Sequence, residues 1–170
     1  MGRLDGKVAI VTGGSSGIWK AIAVMYAKEG ADVVIISRNE EALKEVCNLN
    51  KNKITYVAGD ITKTESIKKL VDYVKTKFGK LDILVNNAGW CPVQPLKELK
   101  IEDYDKAFDL DVRALVHITI ECLPLILKSK GNILNISTIG ATHRGPNLSM
   151  YSGLLIISLD VGLKNWQKME

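Results

Sequence analysis

Short β-branched runs alternate along the chain with longer stretches of helical period. Residues 8–11, 33–36, 54–57, 83–85 and 133–136 are almost continuously apolar, not alternating. That pattern is expected of parallel strands covered by helices on both sheet faces. Between them the apolar positions recur every three or four residues. Ile67, Leu70, Val71, Val74 and Phe78 form one stripe, opened by a capping box of Thr62 and Glu65 and stopped by Gly79. Gly17–Lys28 predicts a helix that ends at Gly30, and residues 40–48 carry Leu43, Val46 and Cys47 on one side. Residues 102–128 present Phe108, Val112, Leu115, Thr119, Cys122 and Ile126 along one face, with Pro124 expected to bend or end that helix early. Residues 152–166 are apolar almost all round, which predicts a helix buried on several sides.

Strand and helix alternating through five strands imply right-handed crossovers and an α/β, Rossmann-like, doubly wound parallel sheet. With no linker, low-complexity stretch or repeat, residues 1–170 read as a single domain.

Composition narrows the classes of function. With 46% hydrophobic and 25% charged residues the chain is an ordinary globular one. Its net charge of +4 is spread among interleaved Lys and Glu, so no nucleic-acid footprint is expected, although an anionic ligand would be favoured. Cys47, Cys91 and Cys122, with His117 and His143, fit no metal-ligand spacing and read as buried thiols and isolated imidazoles. Arg3, Asp5 and Lys7 interrupt any apolar leader, and no apolar run is long enough to span a membrane. The cytoplasm is therefore the expected compartment.

Straight after the first strand stands Thr12-Gly13-Gly14-Ser15-Ser16-Gly17-Ile18. A glycine-rich turn leading into a helix offers backbone N–H groups and the positive end of the helix dipole to a diphosphate. Gly13 and Gly17 remove the Cβ that would keep phosphates away. Read by itself, such a turn is equally a plain strand-to-helix loop.

Thr12-Gly13-x-x-x-Gly17, joined by Asn86-Asn87-Ala88-Gly89 after the fourth strand and Asp60 after the third, resembles the short-chain dehydrogenase/reductase family from about residue 4 to 151. The resemblance implies a nicotinamide dinucleotide held by Gly13, Ser15, Ser16, Gly17, Ile18, Ser37, Arg38, Asn39, Asp60, Ile61, Asn86, Ala88 and Gly89. An acidic residue at the end of the second strand would bind a ribose 2′-OH; Ser37-Arg38-Asn39 stands there instead and favours NADP(H) over NAD(H). The same arginine could equally be a surface residue opening the next helix.

The family also implies hydride transfer between the cofactor and a ketone or secondary alcohol. Thr138 aligns with the hydroxyl that polarises the substrate oxygen, Tyr151 with the general acid/base, and Asp111 with the asparagine of the proton relay. Three departures stand out. Leu155 replaces the lysine four residues after the tyrosine, which leaves Tyr151 near the phenol reference of about 10. Asp111 brings a carboxyl to the relay position, and Trp19 stands where the family has the last glycine of its loop, crowding the cofactor unless the ring turns outward. The family pattern continues beyond residue 170, so its C-terminal strands are expected to be missing and the fifth strand to be an open edge.

Two functions follow: a small-molecule carbonyl/alcohol oxidoreductase, or a catalytically impaired nucleotide-binding or scaffold relative. In the family, helices matching residues 102–128 and 152–166 build a dimer contact, so a homo-oligomer is expected. Trp90, Pro92 and Pro95 predict a partly apolar substrate entrance.

Overall fold

The computed structural model describes residues 2–13, 17–91 and 93–137. Five parallel strands are joined in the order β3-β2-β1-β4-β5: β1 (Val8–Thr12), β2 (Asp32–Ser37), β3 (Ile54–Ala58), β4 (Ile83–Asn86) and β5 (Asn132–Asn135). Ile10 sits opposite Val34 on one side and Leu84 on the other, so β1 runs through the middle of the sheet with every residue buried. The helices are α1 (Gly17–Lys28), α2 (Glu40–Leu49), α3 (Thr64–Phe78), α4 (Ile101–Phe108) and α5 (Leu115–Ser129), with a π-helical segment at Asp109–Ala114 between the last two.

Alternation along the buried strands explains the double winding. Val8, Ile10, Val34, Ile36, Leu84 and Ile133 pack with Ile67, Leu70 and Val74 of α3 and Ile118, Cys122 and Ile126 of α5. The intervening residues Ala9, Val11, Val33, Ile35 and Val85 face the other way, onto Ala23 and Ala27 of α1 and Leu43 and Val46 of α2. Continuous apolar character along each strand is the signature of this two-sided burial. Among the described residues β5 pairs with β4 alone, and Leu134 is 41% exposed on the α1 side of the sheet. At the amino edge Asp82 ties β1 to β4. Its carboxylate accepts the Val8 N–H at 3.0 Å and pairs with Lys7 and Lys80. Burial pushes this carboxyl up, but those three partners outweigh it and hold it below its ordinary range.

Three local expectations need correction. The capping box at α3 is absent: Thr62 gives both its N–H and its hydroxyl to Asp60 Oδ1, each at 2.9 Å, and Lys63 caps the helix without a side-chain bond. An aspartate two residues back reached the threonine first, making a turn out of the apparent cap. Pro124 lies inside α5, which continues to Ser129. Pro124 is exposed and so is Ile120 four residues earlier, so the carbonyl that proline cannot serve lies on the solvent side. Residues 102–128 are two helices with a wide turn between them, not one uniform helix. Gly79 does stop α3 as expected, with a left-handed φ of 68°. The expected helix at residues 152–166 lies outside the described residues.

Candidate nucleotide-binding cleft

In a doubly wound sheet the loops at the carboxyl edge separate where the chain order reverses, and a crevice opens there. Here the reversal falls between β1, which is followed outward by β2 and β3, and β4 on its other side. A cleft of about 710 Å³ lies over that edge. Gly13 lines it after β1, Ser37, Arg38 and Asn39 after β2, Gly59 to Lys63 after β3, and Ala88, Gly89 and Trp90 after β4.

One hydroxyl assembles this crevice. Thr12 Oγ1 donates to the Val85 carbonyl at 3.3 Å and accepts the N–H groups of Asn87 at 2.8 Å and Ala88 at 3.1 Å. A hydroxyl has one donor and two acceptor positions, and all are used. The Asn87 side-chain amide returns a bond to the Thr12 carbonyl at 3.1 Å. The first glycine turn and the loop after β4 are thereby clasped together. Gly13 completes the fit: its φ is +76°, and a Cβ there would stand 3.1 Å from the Ala88 Cα. Only glycine allows this approach without displacing the loop.

The cleft brings together eight of the residues expected to hold a nucleotide: Gly13, Ser37, Arg38, Asn39, Asp60, Ile61, Ala88 and Gly89. Arg38 is exposed at the end of β2 and makes no ion pair or side-chain hydrogen bond among the described residues. Asn39 also caps α2, its side chain accepting the Ala42 N–H at 3.0 Å. Asp60 spends Oδ1 on Thr62. Gly17 opens α1 with a φ of +58°, and Ile18 beside it is 67% exposed and does not line the cleft. Asn86 lies beneath the floor, donating to Thr119 and Asn135 at 3.0 Å each, so its amide braces β4 against α5 and β5. Ser15, Ser16, Thr138 and Tyr151 lie outside the described residues.

Asp111 comes from the π-helical segment and is 5% exposed. Its Oδ1 accepts the Trp90 N–H at 2.8 Å and sits where a Cβ on Gly89 would come within 3.3 Å. The carboxyl therefore holds the lip of the cleft. Among the described residues its Oδ2 is buried without a partner, as are Asn86 Oδ1, Asn87 Oδ1 and Ser137 Oγ, all near the carboxyl edge of the sheet. Buried polar atoms left unpaired are uncommon and gather at working sites. Burial pushes the Asp111 carboxyl up to about 6 against the opposing pull of the Trp90 N–H. Cys91 nearby is pushed up by burial and then by the Asp111 charge, which argues against a reactive thiol.

Several lining residues were not among those expected from sequence. Lys63, Lys106, Asp109 and Leu110 face the cleft beside Trp90, which was expected at a substrate entrance, and Thr12 governs its shape from below. A buried threonine ending a strand before a glycine is the one cue that pointed to Thr12. Trp19 also lines the cleft. Among the described residues no cluster of His, Cys, Asp and Glu could hold a metal ion.

Two outcomes are expected. Replacing Thr12 by Val strands the Asn87 and Ala88 N–H groups and should cost about 2–4 kcal/mol in urea unfolding, whereas Thr12→Ser should stay within about 1 kcal/mol of the parent. For Asp111, the folded carboxyl binds its proton more tightly than the unfolded one, from 3.8 up to about 6. Folded molecules then hold more protons than unfolded ones in that window, so stability falls as pH rises through it and stays lower above. Asp111→Asn should therefore stabilise the fold at pH 7.5 by about 1–3 kcal/mol, with the gain fading toward pH 4 in urea titrations.

Comparison with known proteins agrees with this geometry. The family described as short chain dehydrogenase matches residues 7–153. An 11-beta-hydroxysteroid dehydrogenase A from Sesamum indicum is 36% identical over 152 residues, covering 86% of this chain and 44% of the relative. An uncharacterized oxidoreductase of Staphylococcus aureus (strain USA300) is 33% identical over 151 residues, covering 88% of this chain and 65% of its own length. A short-chain dehydrogenase/reductase of unknown function from Caenorhabditis elegans, crystallised with cofactor, superposes with a TM-score of 0.84 at 30% identity, over 93% of this chain and 62% of that one. A short-chain dehydrogenase from Streptomyces avermitilis superposes with a TM-score of 0.86 at 29% identity, over 91% and 58%. The chain thus spans between 44% and 65% of the length of these relatives. With its 3-2-1-4-5 sheet, its two glycine loops clasped by Thr12 and its matched residues 7–153, the chain belongs to the short-chain dehydrogenase/reductase family of oxidoreductases.

Proposed function

We propose that the cleft serves an NADP(H)-dependent carbonyl/alcohol oxidoreductase, with NADP(H) preferred over NAD(H). The observation that carries the cofactor preference is Arg38. Its guanidinium lines the cleft at the end of β2, with no carboxylate paired to it among the described residues. A free fork of N–H donors suits a ribose 2′-phosphate, and no acidic residue stands at that strand end to claim a 2′-hydroxyl. Ser37 and Lys63 line the same wall and add donors.

The residues fit the adenosine end of such a cofactor. Arg38 and Ser37 would hold the 2′-phosphate, Asp60 and Ile61 would lie beside the base, and Ala88 and Gly89 would leave room along the floor. A bound nicotinamide supplies the hydride. The protein's own part is to place the substrate oxygen against the Thr138 hydroxyl and to pass its proton through Tyr151, with Asp111 at the relay position; Thr138 and Tyr151 take these roles from their place in the family motif. Leu155 stands where the family motif has the lysine that lowers the pKa of the tyrosine. A second reading, a nucleotide-binding relative with little turnover, draws support from that leucine and from the indole of Trp19 in the cleft. Self-association belongs to the same proposal: Ile120 and Leu127 stand exposed two turns apart on α5.

Among the described residues no helix is long and apolar enough to cross a membrane.

Fluorescence titration tests the cofactor assignment. Arg38→Ala should weaken NADPH about 10- to 100-fold while changing NADH less than about threefold. Ketone reduction at saturating NADPH then separates the two readings. Turnover by the chain as it stands supports the enzyme; binding without turnover that Leu155→Lys raises at least about tenfold selects the impaired relative. No binding of either nucleotide removes both.

A further inference from the structure

Trp19 is the third residue of α1, and its position follows from the helix period. Residues 19, 23 and 27 are spaced by four and lie within one narrow arc of the helix. Ala23 and Ala27 are 0% and 4% exposed and pack against Ala9, Val11, Val33 and Ile35 of β1 and β2. Their small side chains let α1 lie close to the sheet. Trp19 continues that sheet-facing stripe by one turn, past the carboxyl ends of β1 and β2. The sheet offers no surface there, and the indole reaches the cleft instead, alongside Gly13, Ile36, Ser37, Arg38 and Asp60. Helical side chains lean toward the helix N-terminus, so the ring is carried further over the start of α1.

The start of that helix is where a diphosphate would seek backbone N–H groups. We propose that Trp19 sets the ligand range of this cleft. Trp19 lines the same cleft as the Arg38 wall and the floor at Ala88 and Gly89 and narrows the run between them, so the cleft recognises the adenosine 2′-phosphate group and gains little from the rest of a dinucleotide. The proposal rests on the cleft being a site for NADP(H)-type nucleotides, and it makes Trp19 a specificity-determining residue of that site. Arg38, Ser37 and Lys63 remain accessible on the outer wall, beyond the ring. A bulky aromatic group at the passage costs a ligand that must run past it and leaves a shorter ligand unaffected.

Isothermal titration of the 170-residue chain with adenosine 2′-monophosphate and with NADPH tests this. The unmodified chain should bind NADPH within about threefold of adenosine 2′-monophosphate, a gain of well under one decade from the whole nicotinamide half. Trp19→Ala and Trp19→Gly should each tighten NADPH at least about tenfold while moving adenosine 2′-monophosphate less than about threefold. Alanine keeps the helix propensity that glycine weakens, so agreement between the two variants assigns the effect to the indole. If the unmodified chain already binds NADPH at least about tenfold tighter than adenosine 2′-monophosphate, Trp19 is no barrier and the proposal fails, while the cofactor assignment survives. If neither ligand binds any of the three proteins, the cofactor assignment itself fails and takes the role of Trp19 with it.

Discussion

The hydroxyl of Thr12 is the constraint on which the rest of the site depends. Two loops distant in sequence, one after β1 and one after β4, must meet at the carboxyl edge of the sheet to make a floor. The Gly13 N–H still bonds the Ile36 carbonyl at 2.9 Å, but the loop after β4 has left its strand and its first N–H groups need another acceptor. Thr12 Oγ1 takes the Asn87 and Ala88 N–H groups and gives its proton to Val85, and Asn87 closes the ring by bonding the Thr12 carbonyl. Buried in this way, the bonds act in surroundings where an unpaired N–H would cost more than in water. The glycine that follows Thr12 is favoured twice over, because its φ of +76° strains any other residue and a Cβ would press on Ala88 at 3.1 Å.

Around that clasp the chain departs from what a dinucleotide oxidoreductase needs, and the departures are physically connected. Asp111 holds the lip through the Trp90 N–H, yet burial pushes its carboxyl up to about 6. An amide of the same shape would make the bond with no charge to bury. Trp19 extends the sheet-facing stripe of α1 into the cleft because Ala23 and Ala27 fix the rotation of the helix. At the far wall Arg38 keeps a free guanidinium. The outcome is a cleft lined by Arg38 on its outer wall and by Ala88 and Gly89 on its floor, with Trp19 among its lining residues.

Much of this was legible in the residues. Unbroken apolar runs foretold a two-sided parallel sheet, because strands with no polar face have nowhere else to go. Gly79 marked the end of α3, since a left-handed φ is cheap for glycine. Eight of the residues expected to hold a nucleotide line one cleft at the sheet edge, from Gly13 to Gly89. Other features depended on contacts that spacing does not carry. The Thr62 hydroxyl could cap α3 or bond Asp60, and only the turn geometry decided. Asn86 was read as a ligand of the nucleotide, but its amide braces Thr119 and Asn135, a pairing set by the register of β4 and β5. The π-helical turn that aims Asp111 at the lip leaves no mark in the apolar period. The direction of the Trp19 ring needed the helix rotation, which two alanines determine together.

Hydrogen–deuterium exchange with and without NADPH tests the central claim most directly, because it reads the backbone of the clasp and the cleft at once. The account predicts slowed exchange on addition of NADPH at residues 36–39 and 59–63, with the amino edge around Asp82 unchanged. Protection confined to other segments, or none at a concentration where NADPH binding is established, would contradict it.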